Sequence, residues 1–492
     1  MSTIKKLAGQ TVIYGLSSIL PRFLNYFLAL FYTRIFLPES LGEITNMFAW
    51  VAILMALLTY GMETAFFRYA SQKGQDIVSV FTTSFLTMVV SSMVFLSLTF
   101  LFNTPLADFF GYHNADKYVR WLSYILVLDA VSTIPFAKLR LEGRPVKFMI
   151  IKLLNVSINI GFNLFFLVLC PWLTKESPDS VLLHIYDPNI SVGYVLISNV
   201  IASLFSLILL IPEMHISIRK YDPRLLKQLL IYGIPILVVS VAGMVNQNID
   251  KVLIPKLIKP HTDAMYQLGI YGANAKLAVI MTLFVQAFRY AFEPFFFARQ
   301  KETEDKKIYA DILTYFVIFC LAVFLGITLF IDQIKMILDP KYYEGLGVVP
   351  YILIANMLVG IYYNLSLWYK LTDKTYFGAY FSIGGALITI SINSLFLSTY
   401  GYKVAAIAQV VCFAVMTVAS YYYMRKYYPI DYNVKRVILL VIFALSLYFS
   451  GQYLPDVNTI LGFVLRGFTI LVFLVLSLLP ELKVELEKRS RG

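Results

Sequence analysis

Residues 77–102 read IVSVFTTSFLTMVVSSMVFLSLTFLF, with no charged side chain among them. At 1.5 Å per residue, a helix of this length spans about 39 Å. The hydrocarbon core of a bilayer is about 30 Å thick. The run shows no period-2 alternation and is too long for a barrel strand. It therefore predicts a membrane-crossing helix. Working outward in both directions, comparable apolar runs recur along the whole chain, from 11–35 and 44–68 at one end to 435–453 and 458–479 at the other. About fourteen spans result. The predicted fold class is an all-α polytopic membrane protein.

Composition supports the same reading. Of 492 residues, 59% are hydrophobic and only 14% charged, and the mean hydropathy is +0.73. Soluble domains carry about 25% charged residues. So few charges cannot cover a protein of this size in water, which excludes a soluble enzyme, a disordered chain and a secreted disulfide scaffold. Cys170, Cys320 and Cys412 sit in or at the end of apolar runs. Their spacing suits neither a zinc site nor a redox pair.

The net charge of +12 has a topological explanation. With the N-terminus inside, about 26 of the 41 basic residues fall in the inner loops and about 9 in the outer ones. Such a bias predicts N-in, C-in, which requires an even number of spans. Nucleic acid is not needed to explain the charge. No loop is long enough for a catalytic domain, the longest being about 171–189. The expected protein is not an enzyme, and its function must lie within or at the edges of its helices.

An internal repeat is visible. Ile13-Tyr14-Gly15-Leu16 is echoed by Ile231-Tyr232-Gly233-Ile234, Leu41-Gly42 by Leu268-Gly269, and Phe67-Arg68-Tyr69-Ala70 by Phe288-Arg289-Tyr290-Ala291. The landmarks are six spans apart, so the halves run parallel and are related by an axis along the membrane normal. The predicted organisation is an N-terminal lobe over 1–220 (helices 1–6), a C-terminal lobe over 221–428 (helices 7–12), and an additional helix pair with a cytoplasmic tail over 429–492.

Polar residues inside these spans demand a reason, because a charge at the bilayer centre costs about 2.5–3.5 kcal/mol on insertion scales. Arg22 lies mid-span beside Pro21, with Asn25 one turn on. Lys152, Asn155, Asn159 and Asn163 recur at helical spacing and form one stripe of the fifth span. Deep or semi-deep cations (Arg22, Lys152, Lys276, Arg289, Arg466) slightly outnumber acids (Glu63, Asp129, Asp250, Glu293). Such a lining suits an anionic, hydroxyl-rich cargo, with Arg forking phosphate oxygens and amides meeting sugar hydroxyls. The bland readings are snorkelling for the cations near span ends and helix–helix bonding for the amides.

Three stretches carry a family resemblance. Thr33-Arg34-Ile35-Phe36-Leu37-Pro38-Glu39-Ser40-Leu41-Gly42 resembles the segment after the first helix of polysaccharide and O-antigen flippases. Gly61-Met62-Glu63-Thr64-Ala65-Phe66-Phe67-Arg68-Tyr69 is similar to the end of their second helix, and Asp250-Lys251-Val252-Leu253-Ile254 to the end of their seventh. These flippases belong to the superfamily of multidrug, oligosaccharidyl-lipid and polysaccharide exporters.

The resemblance implies a two-lobed bundle in the bacterial cytoplasmic membrane. Its cargo would be a polyprenyl-pyrophosphate-linked oligosaccharide, flipped to the outer leaflet by alternating access for surface polysaccharide such as lipopolysaccharide. Membrane lipid and other polysaccharide assembly proteins are the implied partners. In related lipid II flippases, arginines of the first, second and eighth helices line the cavity, which makes Arg22, Arg68 and Arg289 the counterparts here. Joined by Lys276, these are the expected pyrophosphate ligands. Asn25, Asn155, Asn159, Asn163 and Lys152 are the expected sugar contacts. Asp129, Glu63 and Asp250 are the candidates for coupling to Na⁺ or H⁺, between which the sequence does not choose. No cofactor or resident metal is expected. The competing readings are a lipid II flippase and an ion-coupled multidrug antiporter of the same superfamily.

Overall fold

A computed structural model describes residues 3–490 apart from 73, 113–115, 178–179, 300–305 and 373. Among the described residues every regular element is helical. The chain forms two compact units, Met1–Gly269 and Ile270–Gly492.

The first unit opens with α1 (Thr3–Ile35), which runs unbroken through Pro21. It continues with α2 (Pro38–Thr59), α3 (Met62–Ala70), α4 (Ile77–Leu101), α5 (Asn103–Phe110) and α6 (Asp116–Leu141). Next come α7 (Pro145–Leu164), α8 (Cys170–Glu176), α9 (Gly193–Leu210) and α10 (Pro223–Leu257), and the start of α11 (His261–Leu277). In this unit α1 packs on α7, α9 on both α6 and α7, α4 on α6, and α2 on α10.

The second unit takes in the end of α11, then α12 (Val279–Arg299), α13 (Lys307–Leu329), the short α14 (Ile331–Ile334), α15 (Val349–Leu365) and α16 (Leu367–Leu371). It ends with α17 (Tyr376–Tyr400), α18 (Lys403–Tyr427), α19 (Val434–Gly451) and α20 (Ile460–Ser490). Here α18 packs on α15 and α17, and the last two helices both pack on α13. The helix that begins the second half of the sequence repeat, α10, belongs to the first unit.

Among the described residues, twelve helices or helix runs are long and apolar enough to cross a membrane, or thirteen when a bent pair counts as one. The first expected span corresponds to α1, whose side chains are described from Ile19 onward. Two expected spans are not straight. The run 44–68 breaks at Tyr60 and Gly61, with φ of 34° and 71°. Left-handed backbone ends α2 and restarts the chain as α3, at a glycine that carries no Cβ penalty. The run 266–294 bends by 51° between α11 and the Val279–Arg289 part of α12. The span over 147–170 continues from α7 through a π-helical turn at Phe165–Leu169 into α8. Pro171 follows that turn with no N–H to donate, so the hydrogen-bond ladder shifts register there.

Candidate functional site

The first unit gathers five charged side chains. On α1, Pro21, Leu28 and Tyr32 are buried while Arg22 and Asn25 are exposed. By helical periodicity Asn25 shares the stripe of Pro21, Leu28 and Tyr32, one turn from the first two, while Arg22 is turned about 100° from Pro21. Lys152 on α7 and Asp129 on α6 are half-buried. The ammonium of Lys152 is attracted by Asp129 and Glu63 and repelled by Arg140 and Arg22. It also stands 4.1 Å over the Phe136 ring, a favourable cation–π placement.

Within this cluster the acids are engaged. Glu63 is ion-paired to Arg140, whose guanidinium lies 4.9 Å from the Phe67 ring centroid. The Ser203 hydroxyl donates to Asp129. Three cations therefore face two carboxylates. The guanidinium of Arg22 is left without a carboxylate partner among the described residues. A cation within a membrane-crossing helix is costly unless it is compensated.

The amide stripe of α7 lies alongside. Asn155 donates to Ser206 Oγ on α9 at 2.9 Å. Asn159 and Asn163 are buried, and the Asn163 amide donates to the Asn159 backbone carbonyl and side-chain oxygen at 2.8 and 3.0 Å. Tyr32 Oη on α1 donates to Asn163 Oδ1 at 2.9 Å. The deeper amides thus tie α7 to α1, while Asn25 stays exposed.

Other expected residues have contacts of their own. Arg68 is exposed at the end of α3, 4.2 Å from the Tyr232 ring centroid on α10. Asp250 is buried on α10, its carboxylate 3.3 Å from Lys251 Nζ, with Asn246 buried one turn before it. In the second unit, Lys276 is half-buried near the α11–α12 bend. Arg289 is exposed, 4.9 Å from the Tyr363 ring centroid. Arg466 is buried and donates to the carbonyls of Pro455 at 2.6 Å and Gly462 at 3.3 Å, so it fastens the turn before α20. The side chain of Glu293 lies outside the described residues.

Sequence reasoning passed over three members of the site. Arg140 counts as a loop cation in the sequence, yet it pairs with Glu63. Tyr32 and Ser203 carry no sequence signal of their own. Only the fold shows that they sit opposite Asn163 and Asp129. At the basic end of α6 a second network was also missed. Buried Glu213 is ion-paired to Arg144 at 2.7 Å and to Lys147, and its backbone carbonyl accepts from Lys138 Nζ at 2.8 Å. Charged partners on three sides hold this carboxylate where water cannot.

Comparison with known proteins gives both a family and a fold. A family described as polysaccharide biosynthesis protein matches residues 7–300. No curated protein matches the sequence. Among solved structures, a lipid II flippase, MurJ, in an inward closed conformation aligns at TM-score 0.71 and 12% identity, over 95% of this chain and 98% of its own. An inward-facing multidrug resistance MATE family transporter of the MOP superfamily aligns at 0.66 and 13%, over 85% and 97%. The MATE multidrug transporter DinF-BH, solved as a complex, aligns at 0.60 and 15%, over 86% and 96%. At these identities the likeness is one of fold.

Proposed function

This chain belongs to the polysaccharide biosynthesis protein family, and from that premise we propose that it is a flippase for a polyprenyl-pyrophosphate-linked oligosaccharide. It would work in the bacterial cytoplasmic membrane and deliver repeat units to the outer leaflet for surface polysaccharide. The observation that carries this reading is the charge balance of the first-unit cluster. Its cations exceed its carboxylates by one, and the cation in excess, Arg22, is exposed on α1.

The physical task is to move a sugar-pyrophosphate through hydrocarbon. Bare pyrophosphate in a low dielectric is prohibitive. A guanidinium replaces the lost hydration with a forked pair of charged hydrogen bonds. Lys152, already balanced by Asp129 and Glu63, supplies background positive potential and leaves Arg22 as the direct ligand. Arg68, Lys276 and Arg289 are further pyrophosphate ligands in this proposal. Sugar hydroxyls would meet Asn25 and Asn155 first. Asn159 and Asn163 become available once the Tyr32 bond opens.

Asp129, Glu63 and Asp250 are the groups through which a coupling ion would act. An inside-negative potential also favours outward passage of negative charge, by about 2.3 kcal/mol per charge per 100 mV. Deletion of the gene in its host tests the proposal. Completed lipid-linked repeat units should accumulate on the cytoplasmic leaflet and clear when the gene is restored. Normal surface polysaccharide without accumulation would overturn it.

A further inference from the structure

At the end of α6 remote from Lys138 and Arg140 lies a cleft of about 760 Å³. By the positive-inside bias this is the outer face. One side is aromatic. The rings of Tyr118 and Trp121 are 6.0 Å apart, tilted by 37°, and both are half-buried. The other side is polar, with Asp108, Asp116, Asp187 and Asn189 at its wall.

The wall is built before any ligand arrives. Thr104 Oγ1 donates to Asp116 Oδ2 at 3.0 Å. Asn103 is buried behind it, and in the amide orientation that satisfies both its ends it donates to the Asp116 carbonyl and accepts from Arg120 Nε, both at 3.2 Å. Asp187 Oδ1 accepts from the backbone and the side chain of Asn189, each at 3.0 Å. The Tyr194 hydroxyl lies 2.6 Å from the Asp187 amide, which donates to it. Such bonding fixes the orientation of the groups and lowers the entropy cost of binding.

We propose that this cleft binds the sugar portion of a glycan on the outer face, separately from the membrane-depth cluster. Charge separates the two sites. The cleft has three carboxylates against two cations, Lys117 and Arg120, so it repels pyrophosphate where the Arg22 cluster attracts it. What it offers instead is aromatic faces, which carry partial negative charge and suit the C–H face of a pyranose ring. Beside them, carboxylate and amide oxygens accept from hydroxyls. A concave site that mixes an apolar floor with a few fixed polar groups is the usual form of a small-ligand pocket. The proposal rests on the glycan-flippase reading and adds to it a landing place for the head group once it has crossed.

The test uses the full chain in phospholipid nanodiscs. The probe is the repeat-unit oligosaccharide released by mild acid from the host's own surface polysaccharide, free of lipid and phosphate, titrated by calorimetry. Saturable binding is expected. Trp121→Leu, and separately Asn189→Ala with Asp187→Asn, should weaken it by about tenfold or more, whereas Arg22→Ala should leave it unchanged. Trp121 packs against Gly193, so the two exposed-residue changes keep the test valid if Trp121→Leu misfolds. No binding, or binding that none of these changes alters, overturns the cleft. Leaflet transport measured on the same preparations keeps the failures distinct. Transport that needs Arg22 while the cleft variants bind normally removes the cleft alone. Cleft binding as expected with transport indifferent to Arg22 removes the membrane-depth site alone.

Discussion

Gly42 on α2 and Gly269 on α11 face one another symmetrically. A Cβ on Gly42 would collide with the backbone carbonyl of Met265, and a Cβ on Gly269 with that of Pro38. In each case the obstructing residue lies four positions before the opposite glycine. These are the Leu41-Gly42 and Leu268-Gly269 landmarks of the internal repeat. The two copies of one motif thus meet across a pseudo-twofold contact, and the obstacle is backbone, which cannot turn aside. Gly42→Ala and Gly269→Ala should each lower stability by about 1–3 kcal/mol, the usual cost of overpacking. Among the described residues nothing lies within 4 Å of a Cβ placed on Gly243 of α10, so Gly243→Ala should be neutral or slightly stabilising, since alanine favours helix over glycine. Thermal unfolding of the three variants in detergent checks the contrast.

The tie between α1 and α7 is open to a direct test. Tyr32→Phe removes the donor to Asn163 Oδ1 and leaves a buried acceptor empty. In water-soluble proteins that costs about 1–3 kcal/mol. Interhelical bonds in membranes average nearer 0.6 kcal/mol, so a loss of about 1 kcal/mol is expected. Asn163→Leu leaves the Tyr32 hydroxyl without its acceptor, so it should cost less in Tyr32→Phe, where neither group remains, than in wild type. A double-mutant cycle on denaturation midpoints measures that coupling.

An exposed pair gives a pH dependence with a definite sign. Lys220 Nζ lies 2.8 Å from Asp76 Oδ2. The hydrogen bond from Lys220 holds the Asp76 carboxyl below its ordinary value, with the Val78 amide also donating to it. A depressed carboxylate pKa means that the folded form favours the charged state. The contribution is complete above the unfolded pKa and is lost as pH falls through the lowered folded value. The 217–222 segment, which also bonds to Ser79, Thr82 and Thr83, should gain amide exchange on acidification. Asp76→Asn should show raised exchange already at neutral pH and no further acid step. An acid step of equal size in Asp76→Asn would assign the effect to another group.

Spans were legible from sequence because the bilayer imposes one strong rule, a long run without charge, and residues 77–102 obey it as the helix 77–101. The interruptions were not. Tyr60-Gly61 lies inside an unbroken apolar run, and only backbone geometry reveals the left-handed turn. The α11–α12 bend passes through Ala278, two residues after Lys276, with no proline or glycine there to mark it. Charged candidates were legible for the same reason as the spans, since each is costly in lipid. Which of them meet was not, because that depends on helices far apart in sequence: Glu63 pairs with Arg140, and Lys152 comes within electrostatic reach of Asp129, only once α3, α6 and α7 are packed.

The most direct measurement concerns Arg22. Wild-type protein, Arg22→Lys and Arg22→Ala would be reconstituted into proteoliposomes with lipid-linked repeat units extracted from the host. A membrane-impermeant glycan-oxidising reagent then reports which leaflet the sugars occupy over time. The expected result is rapid transfer by wild type, slowed transfer by Arg22→Lys, which keeps the charge but loses the fork, and transfer at the protein-free rate by Arg22→Ala. Arg22→Ala transfer at the wild-type rate would contradict the assignment of this cation to the pyrophosphate and, with it, the central claim.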